Sequence, residues 1–582
     1  MSIDAISRQK RKATGAETGR PVIAGVNHMV SAGHYLAATA AFEILEAGGN
    51  AIDAGVAGGI ALGVVQSELV NFAGVAPIIV RSGATGETKS IAGLGWWPRA
   101  MTANYFKDNH GGEIPHGLLR TVVPAAPDAW IRALSRFGTM SFGQVAGAAI
   151  RLARDGFVMY PLMAELIETF AEEYSRWPSS AAIYLPNGRP PRIGEKFVQA
   201  DLASTLQYMV DEEAARAAHG REAGLLAARD AFYRGDIARA MTKFHAENGG
   251  LLTLDDLADY TSEVEDTLSV DFHGFKVHSC GAWCQGPSML QIFSMLEASD
   301  LVSLGHNTAD YVHRFVEIIK LAFADRHTYI GDPRFVDVPL DRLLSQAHAS
   351  HRLSRIDPRH AFLGLPVEGG YEDPSLPPLP KIRAEATPPS LDTSYICVVD
   401  RWGNSFSATP SDVSYDTPVI PGTGLSPSSR GAQSWADPNH PSSVRPGKRP
   451  RLTPSPALAV GPDGRLIPFG TPGGDVQAQA MAQVLTNLLV FQMNPQRAVE
   501  APRFASYSFP DSFEPHDYYP NRLHLEAGVG EAVGRELSDR GHDVNWWPEL
   551  TWRAGSVCLV DAAAGLCAGA ADPRRPCYAI GW

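Results

Sequence analysis

The stretch AIDAGVAGGIALGVV, residues 51–65, limits the possible folds most tightly. It is apolar or small nearly all round, so a helix built from it has no face to offer to water and must be deeply buried. Its alanines and glycines suit close packing against neighbours. The preceding GHYLAATAAFEILEAGGN predicts a helix of another kind, with Leu36, Ala40 and Ile44 on one face beside Ala37, Ala41 and Leu45. Gly48 and Gly49 end that helix, because glycine accepts the left-handed geometry of a helix C-terminus. The apolar tract from Ala54 to Val65 is too short to span a bilayer core of about 30 Å. With 582 residues, 45% of them apolar and 19% charged, the chain can build the large core this helix needs.

Charge and composition exclude several function classes. A net charge of -13 without any basic run argues against nucleic-acid and anionic-membrane partners, since phosphate binding needs a basic patch. Six cysteines are too few for a disulfide framework, and Cys280 and Cys284 have no second pair at zinc-ligand spacing. Buried, reduced thiols and no metal or cofactor are expected. The N-terminal MSIDAISRQKRKATGAETGR has no apolar core of a secretory signal, which predicts a disordered tail over 1–20 and a cytoplasmic protein.

The texture changes along the chain. From about 115 to 330 it reads mainly as helices, interrupted near 267–280 by the alternating pair TLSVDFHGFKVHSC. Residues 363–392 read as a mobile, proline-rich linker unsuited to core packing. Strand-like runs follow: SYICVVD, NSFSATP, ALAVGPDGRLIPFG and SVCLVDAAAGLCAGA, with one clear helix, AQAMAQVLTNLLVFQ, after the turn TPGGD. A helix-rich first part and a strand-rich second part predict an α+β protein, with sheets packed between helices.

No elbow, zinc or phosphate-loop motif is present. The junction Asp392-Thr393 stands out, because it opens an apolar run directly behind the prolines. A threonine hydroxyl is a weak nucleophile, but a cut before Thr393 would give it an α-amine as its own base. Attack of the hydroxyl on the Asp392 carbonyl would make that cut. Alone, such a junction is usually just a β-branched residue at the start of a strand.

Four longer stretches carry a resemblance: AAFEILEAGGNAIDAGVAGGIALGVVQ, IIKLAFADRHTYIGDPRF, DTSYICVVDRWGNSFSATPSD and RPRLTPSPALAV with GTPGGD. From about residue 21 to 582 the chain resembles the γ-glutamyltransferase family of N-terminal-nucleophile hydrolases. The family's Thr-Thr-His-x-Ser-Val-Val-Asp frame falls on Thr393 to Asp400, with the Gly-Asn turn at Gly403-Asn404. The resemblance implies a four-layer αββα sandwich cut before Thr393 into a large chain, 21–392, and a small catalytic chain, 393–582. These would form a heterodimer, and two heterodimers could pair. It also implies Thr393 as nucleophile, Ser411 as the hydroxyl that orients it, and Gly473 and Gly474 as the oxyanion turn.

The glutamyl pocket does not carry over. Leu94 stands where the family has its carboxylate-binding arginine, with Arg99 nearby but out of register. Gln433 replaces an acidic residue, Thr453 falls in the place of a serine pair, and Val413 in that of an asparagine. Losing both charge partners would leave an amino-acid zwitterion unpaired. Arg430, close to Gln433, could hold a small carboxylate in its fork. Arg430, Gln433 and Thr453 are therefore the expected substrate contacts, and the expected reaction is hydrolysis of a small, oxamate-like amide through an acyl-threonine. Two alternatives stand beside it: a true γ-glutamyl enzyme with a rebuilt pocket, and an uncut, non-catalytic relative.

Overall fold

A computed structural model describes residues 18–368, 379 and 391–582. Two seven-stranded antiparallel sheets lie at its centre. One runs, in spatial order, Tyr578–Gly581, Met29–Ala32, Ile396–Val399, Ser405–Ala408, Ile78–Arg81, Thr88–Ile91, Val264–Asp266. The other runs Ile23–Gly25, Leu566–Ala571, Cys558–Ala563, Leu466–Gly470, Ala457–Val460, Phe275–Ser279, Leu268–Phe272.

Side-chain alternation turns these sheets into a stack. In the strand Ile396–Val399, Ile396 and Val398 point to the core under the helices Tyr35–Glu46 and Ala51–Val65. Cys397 and Val399 point the opposite way, with Tyr395, into the core between the sheets. The second sheet repeats the pattern. Leu458 and Leu466 face the inter-sheet core, while Ala457, Ala459, Ile467 and Phe469 pack under the helices Gly286–Glu297 and Gln477–Leu489. The order helix, sheet, sheet, helix is the expected αββα sandwich. All six cysteines are free thiols in or beside the inter-sheet core.

Every residue of Ala51–Val65 is buried, as its sequence demands. Glycine there permits contact that any side chain would block. A Cβ on Gly55 would lie 2.1 Å from the Phe406 ring, and one on Gly58 2.2 Å from Ile396. The helix starts at the Asn50–Asp53 capping box, and the Ala51 amide donates to Asp400 at 2.8 Å. Asp400 also accepts from the amides of Trp402 and Asn404, so one carboxylate ties the end of the central strand to the start of the buried helix.

Two boundary expectations change. Gly19 and Arg20 donate to Glu500 at 2.6 and 3.1 Å, so residues 18–20 join the body, while 1–17 lie outside the described residues. Most of the proline-rich segment, 369–378 and 380–390, also lies outside them. At its edges, Leu365 and Val367 are buried against the second sheet's helices, because apolar side chains next to the prolines still reach the core. Among the described residues, no helix is long and apolar enough to cross a membrane.

Candidate active site

Thr393 sits just before the central strand, fully buried and fixed through its backbone. Its amide donates to Leu69 O at 3.2 Å, and Arg575 donates to its carbonyl at 2.9 Å. Its neighbour Ser394 donates through its amide to Pro410 O at 3.0 Å. Thr393 has φ of +68°, a left-handed conformation that a β-branched residue rarely adopts, at a cost of roughly 1–3 kcal/mol. The strain lies on the residue that follows the Asp392–Thr393 peptide.

The Thr393 hydroxyl lies 2.6 Å from that of Ser411. Ser411 is placed by its own backbone, exchanging hydrogen bonds with Val75 at 3.0 and 3.3 Å. Next to it, Asp412 is buried and accepts from Ser428 Oγ and from the amide and hydroxyl of Ser429. Burial raises its pKa to about 6 despite the neighbouring Arg430.

Arg430 joins these groups. Its Nη1 and Nη2 donate to Asp392 Oδ2, both at 3.1 Å, its Nε lies 3.3 Å from Asp412, and it donates to the Ser411 hydroxyl. One guanidinium thus touches the residue before the junction and the hydroxyl partner of Thr393. Asp392 and Arg430 line a cavity of about 490 Å³. Its wall is strongly aromatic, with Phe170, Tyr415, Tyr507, Phe513, Tyr519 and Trp547. Buried Arg120 donates through Nη1 to both carboxylate oxygens of Asp416, at 2.7 and 2.9 Å.

Gly473 and Gly474 line the same cavity, with φ of +112° and +56°. Gln285 ties their turn to the segment ahead of the strand Ala457–Val460, donating to Gly474 O at 2.9 Å and Thr453 O at 2.7 Å. Gln433 and Thr453 do not belong to the cavity wall. Gln433 Nε2 donates to Thr453 Oγ1 at 2.7 Å, and Thr453 N donates back to Gln433 Oε1 at 3.3 Å. The pair is buried and engaged with itself, which fits a clamp between segments rather than the expected substrate contact. Leu94 is packed in the inter-sheet core, and exposed Arg99 pairs with Asp259.

Sequence reasoning missed Arg120, Asp416, Asp412, Arg575 and the aromatic wall. The wall comes from separate segments with no common spacing, so no sequence pattern announces it. Asp412 alone was within reach, one residue after Ser411.

Next along the chain from Leu69, whose carbonyl holds the Thr393 amide, Glu68 is fully buried and accepts from the Tyr160 hydroxyl at 3.0 Å. Burial pushes its pKa up to about 8. His313, Glu317 and His542 form a buried group with metal-binding side chains. Lys320 Nζ already lies 2.8 Å from Glu317, and His313 Nδ1 and His542 Nε2 are 2.9 Å apart, so mutual hydrogen bonds account for these donors.

Two stacked sheets between helices, with a buried threonine at the head of a central strand, define the N-terminal-nucleophile hydrolase architecture. Residues 37–582 match the family model described as Gamma-glutamyltranspeptidase. The chain is similar to the acylase ACY 1 proenzyme of Pseudomonas sp. (strain SE83), with 32% identity over 92% of this chain and 90% of that protein. It is also similar to the glutathione hydrolase-like YwrD proenzyme of Bacillus subtilis, with 28% identity over 96% and 99%. The crystal structure of cephalosporin acylase from Bacillus halodurans superposes with a TM-score of 0.83 at 27% identity, covering 98% of each chain. The chain belongs to the gamma-glutamyltranspeptidase family and is an N-terminal-nucleophile hydrolase.

Proposed function

We propose that this protein cuts itself between Asp392 and Thr393 and then hydrolyses an amide whose acyl half carries a carboxylate. The observation that carries the reading is the Thr393–Ser411 contact of 2.6 Å beside an arginine that already holds a carboxylate on a cavity wall. In the cut, the Thr393 hydroxyl adds to the Asp392 carbonyl. The C–N bond breaks and the nitrogen takes a proton to become the α-amine. Water then hydrolyses the ester, restoring the hydroxyl and leaving a carboxylate on Asp392. The large and small chains stay together as a heterodimer. In support, the strand Ile396–Val399 of the small chain is flanked by Met29–Ala32 of the large chain and its own Ser405–Ala408.

Turnover repeats this chemistry with a substrate. The α-amine takes the hydroxyl proton as the oxygen attacks, then returns it to the departing amine. An unperturbed α-amine titrates at roughly 7.7–8.0, so activity should rise with pH toward that range. Amides of Gly473 and Gly474 would stabilise the oxyanion, and Ser411 would hold the hydroxyl on its line of attack.

Arg430 selects the acyl group, since its fork matches a carboxylate and Asp412 holds the guanidinium in place. Oxamate-like amides are the shortest members of this class. The aromatic wall suits a larger departing amine. A γ-glutamyl donor is the competing reading, favoured by Asp511 on the cavity wall as a partner for an ammonium. Paired assays decide between them. The proposal expects turnover of carboxylate-bearing anilides and little of γ-glutamyl-p-nitroanilide, and the reverse order would refute it.

A further inference from the structure

The ester formed during self-cleavage is the same kind of species as the acyl-enzyme of turnover. In both, an acyl group sits on Thr393 Oγ beside a free Thr393 amine. The acyl group of self-cleavage is Asp392 itself. Counting from its ester carbonyl there follow Cα, Cβ and then a carboxylate, which is the skeleton of a succinyl group. That carboxylate lies on Arg430, with Oδ2 3.1 Å from both Nη1 and Nη2. It is almost wholly buried, and its other oxygen, Oδ1, has no hydrogen-bond partner.

We propose that Asp392 is a built-in model of the acyl donor, and that the mature enzyme selects monoamides of four-carbon dicarboxylic acids. The inference rests on Thr393 as nucleophile and Arg430 as carboxylate receptor, and adds a length. When Asp392 departs, Arg430 keeps Asp412 at 3.3 Å and its bond to Ser411, so the receptor stays at a fixed distance from the nucleophile. Asp412 is in turn held by Ser428 and Ser429. An oxalyl group is two carbons too short to reach the Asp392 carboxylate position, a malonyl group one too short, and a glutaryl group one too long. A free succinyl group, released from the peptide that restrains Asp392, can turn both oxygens onto the fork and employ the one Asp392 leaves idle. The reaction balances as succinyl amide plus water giving succinate and the free amine.

The test is a ladder of 4-nitroanilides, oxalyl, malonyl, succinyl and glutaryl, with neutral butyryl as the four-carbon chain that lacks the carboxylate oxygens, on the purified enzyme. The expected kcat/KM peaks at succinyl, about tenfold or more above its neighbours, because one misplaced methylene costs that much. Butyryl should fall below succinyl by at least the same factor. A peak at another length with butyryl still poor overturns the ruler but leaves Arg430 as a carboxylate receptor. Butyryl equal to succinyl overturns both, as does a processed enzyme that turns over none of the series. A second measurement uses the precursor. Asp392→Asn should self-cleave about tenfold more slowly, having lost the charge that seats the acyl group. Cleavage at the unaltered rate would contradict a role for that contact in presenting it.

Discussion

Thr393 and the cavity wall lie in one hydrogen-bonded network, yet they are held by different means. Thr393, Ser394 and Ser411 are fixed by backbone bonds to Leu69, Pro410 and Val75, at the head of a strand buried on both faces. The cavity is lined by side chains from distant segments, among them Phe170, Tyr415, Tyr507 and Trp547. Backbone pairing in a central sheet tolerates little change without a shift of register. A wall of side chains drawn from separate segments can be exchanged residue by residue. The attack machinery can therefore persist while the acyl and amine pockets change.

Breaking the backbone-held side should have the largest effect. Thr393→Ala removes the attacking oxygen, so both self-cleavage and turnover should be lost entirely, checked by gel and by anilide assay. Gly473→Ala comes next. Its φ of +112° is strained for alanine, and the new Cβ would lie 2.2 Å from Ala554 O, so the turn must move. A loss in kcat of about 10²–10³ is expected, comparable to removing one oxyanion donor.

On the cavity side the effect should be smaller and selective. In processed enzyme, Arg430→Met should lower kcat/KM for a carboxylate-bearing anilide about tenfold or more relative to its neutral isostere. Equal losses on both would confine Arg430 to holding Ser411.

Glu68 should leave the rate almost unchanged and act on stability instead. Its carboxyl rises from an ordinary 4.5 to about 8 on folding, so the folded state keeps a proton that the unfolded state releases. Its stabilising contribution is whole below pH 4.5 and is lost as pH rises toward about 8, at about 1.4 kcal/mol per pH unit. Glu68→Gln should flatten the urea stability profile over that window, and an unchanged slope would show that Glu68 folds ionised.

Much of the sandwich was legible in the sequence. The hairpin Leu268–Phe272/Phe275–Ser279 announces itself by alternation around a tight turn, while Ala457–Val460/Leu466–Gly470 and Cys558–Ala563/Leu566–Ala571 show as apolar runs on either side of glycine-containing turns. Short strands paired at long range did not. Met29–Ala32 gains its partners only when Ile396–Val399 and Tyr578–Gly581 arrive from far along the chain. At the site, Thr393, Ser411 and the glycine turn were legible because their spacing follows the family frame. Arg430 was legible as a cation, but its grip on Asp392 depends on tertiary proximity. Gln433 and Thr453 read as substrate contacts because sequence cannot show that each satisfies the other.

The central claim is that the Asp392–Thr393 bond is broken by Thr393 itself. Intact-mass analysis of purified protein, with N-terminal sequencing of any fragment, tests it most directly. The account predicts two chains, the smaller beginning at Thr393, and a single full-length chain for Thr393→Ala. A single full-length chain from the unaltered protein after prolonged incubation, or a fragment beginning at another residue, would contradict it.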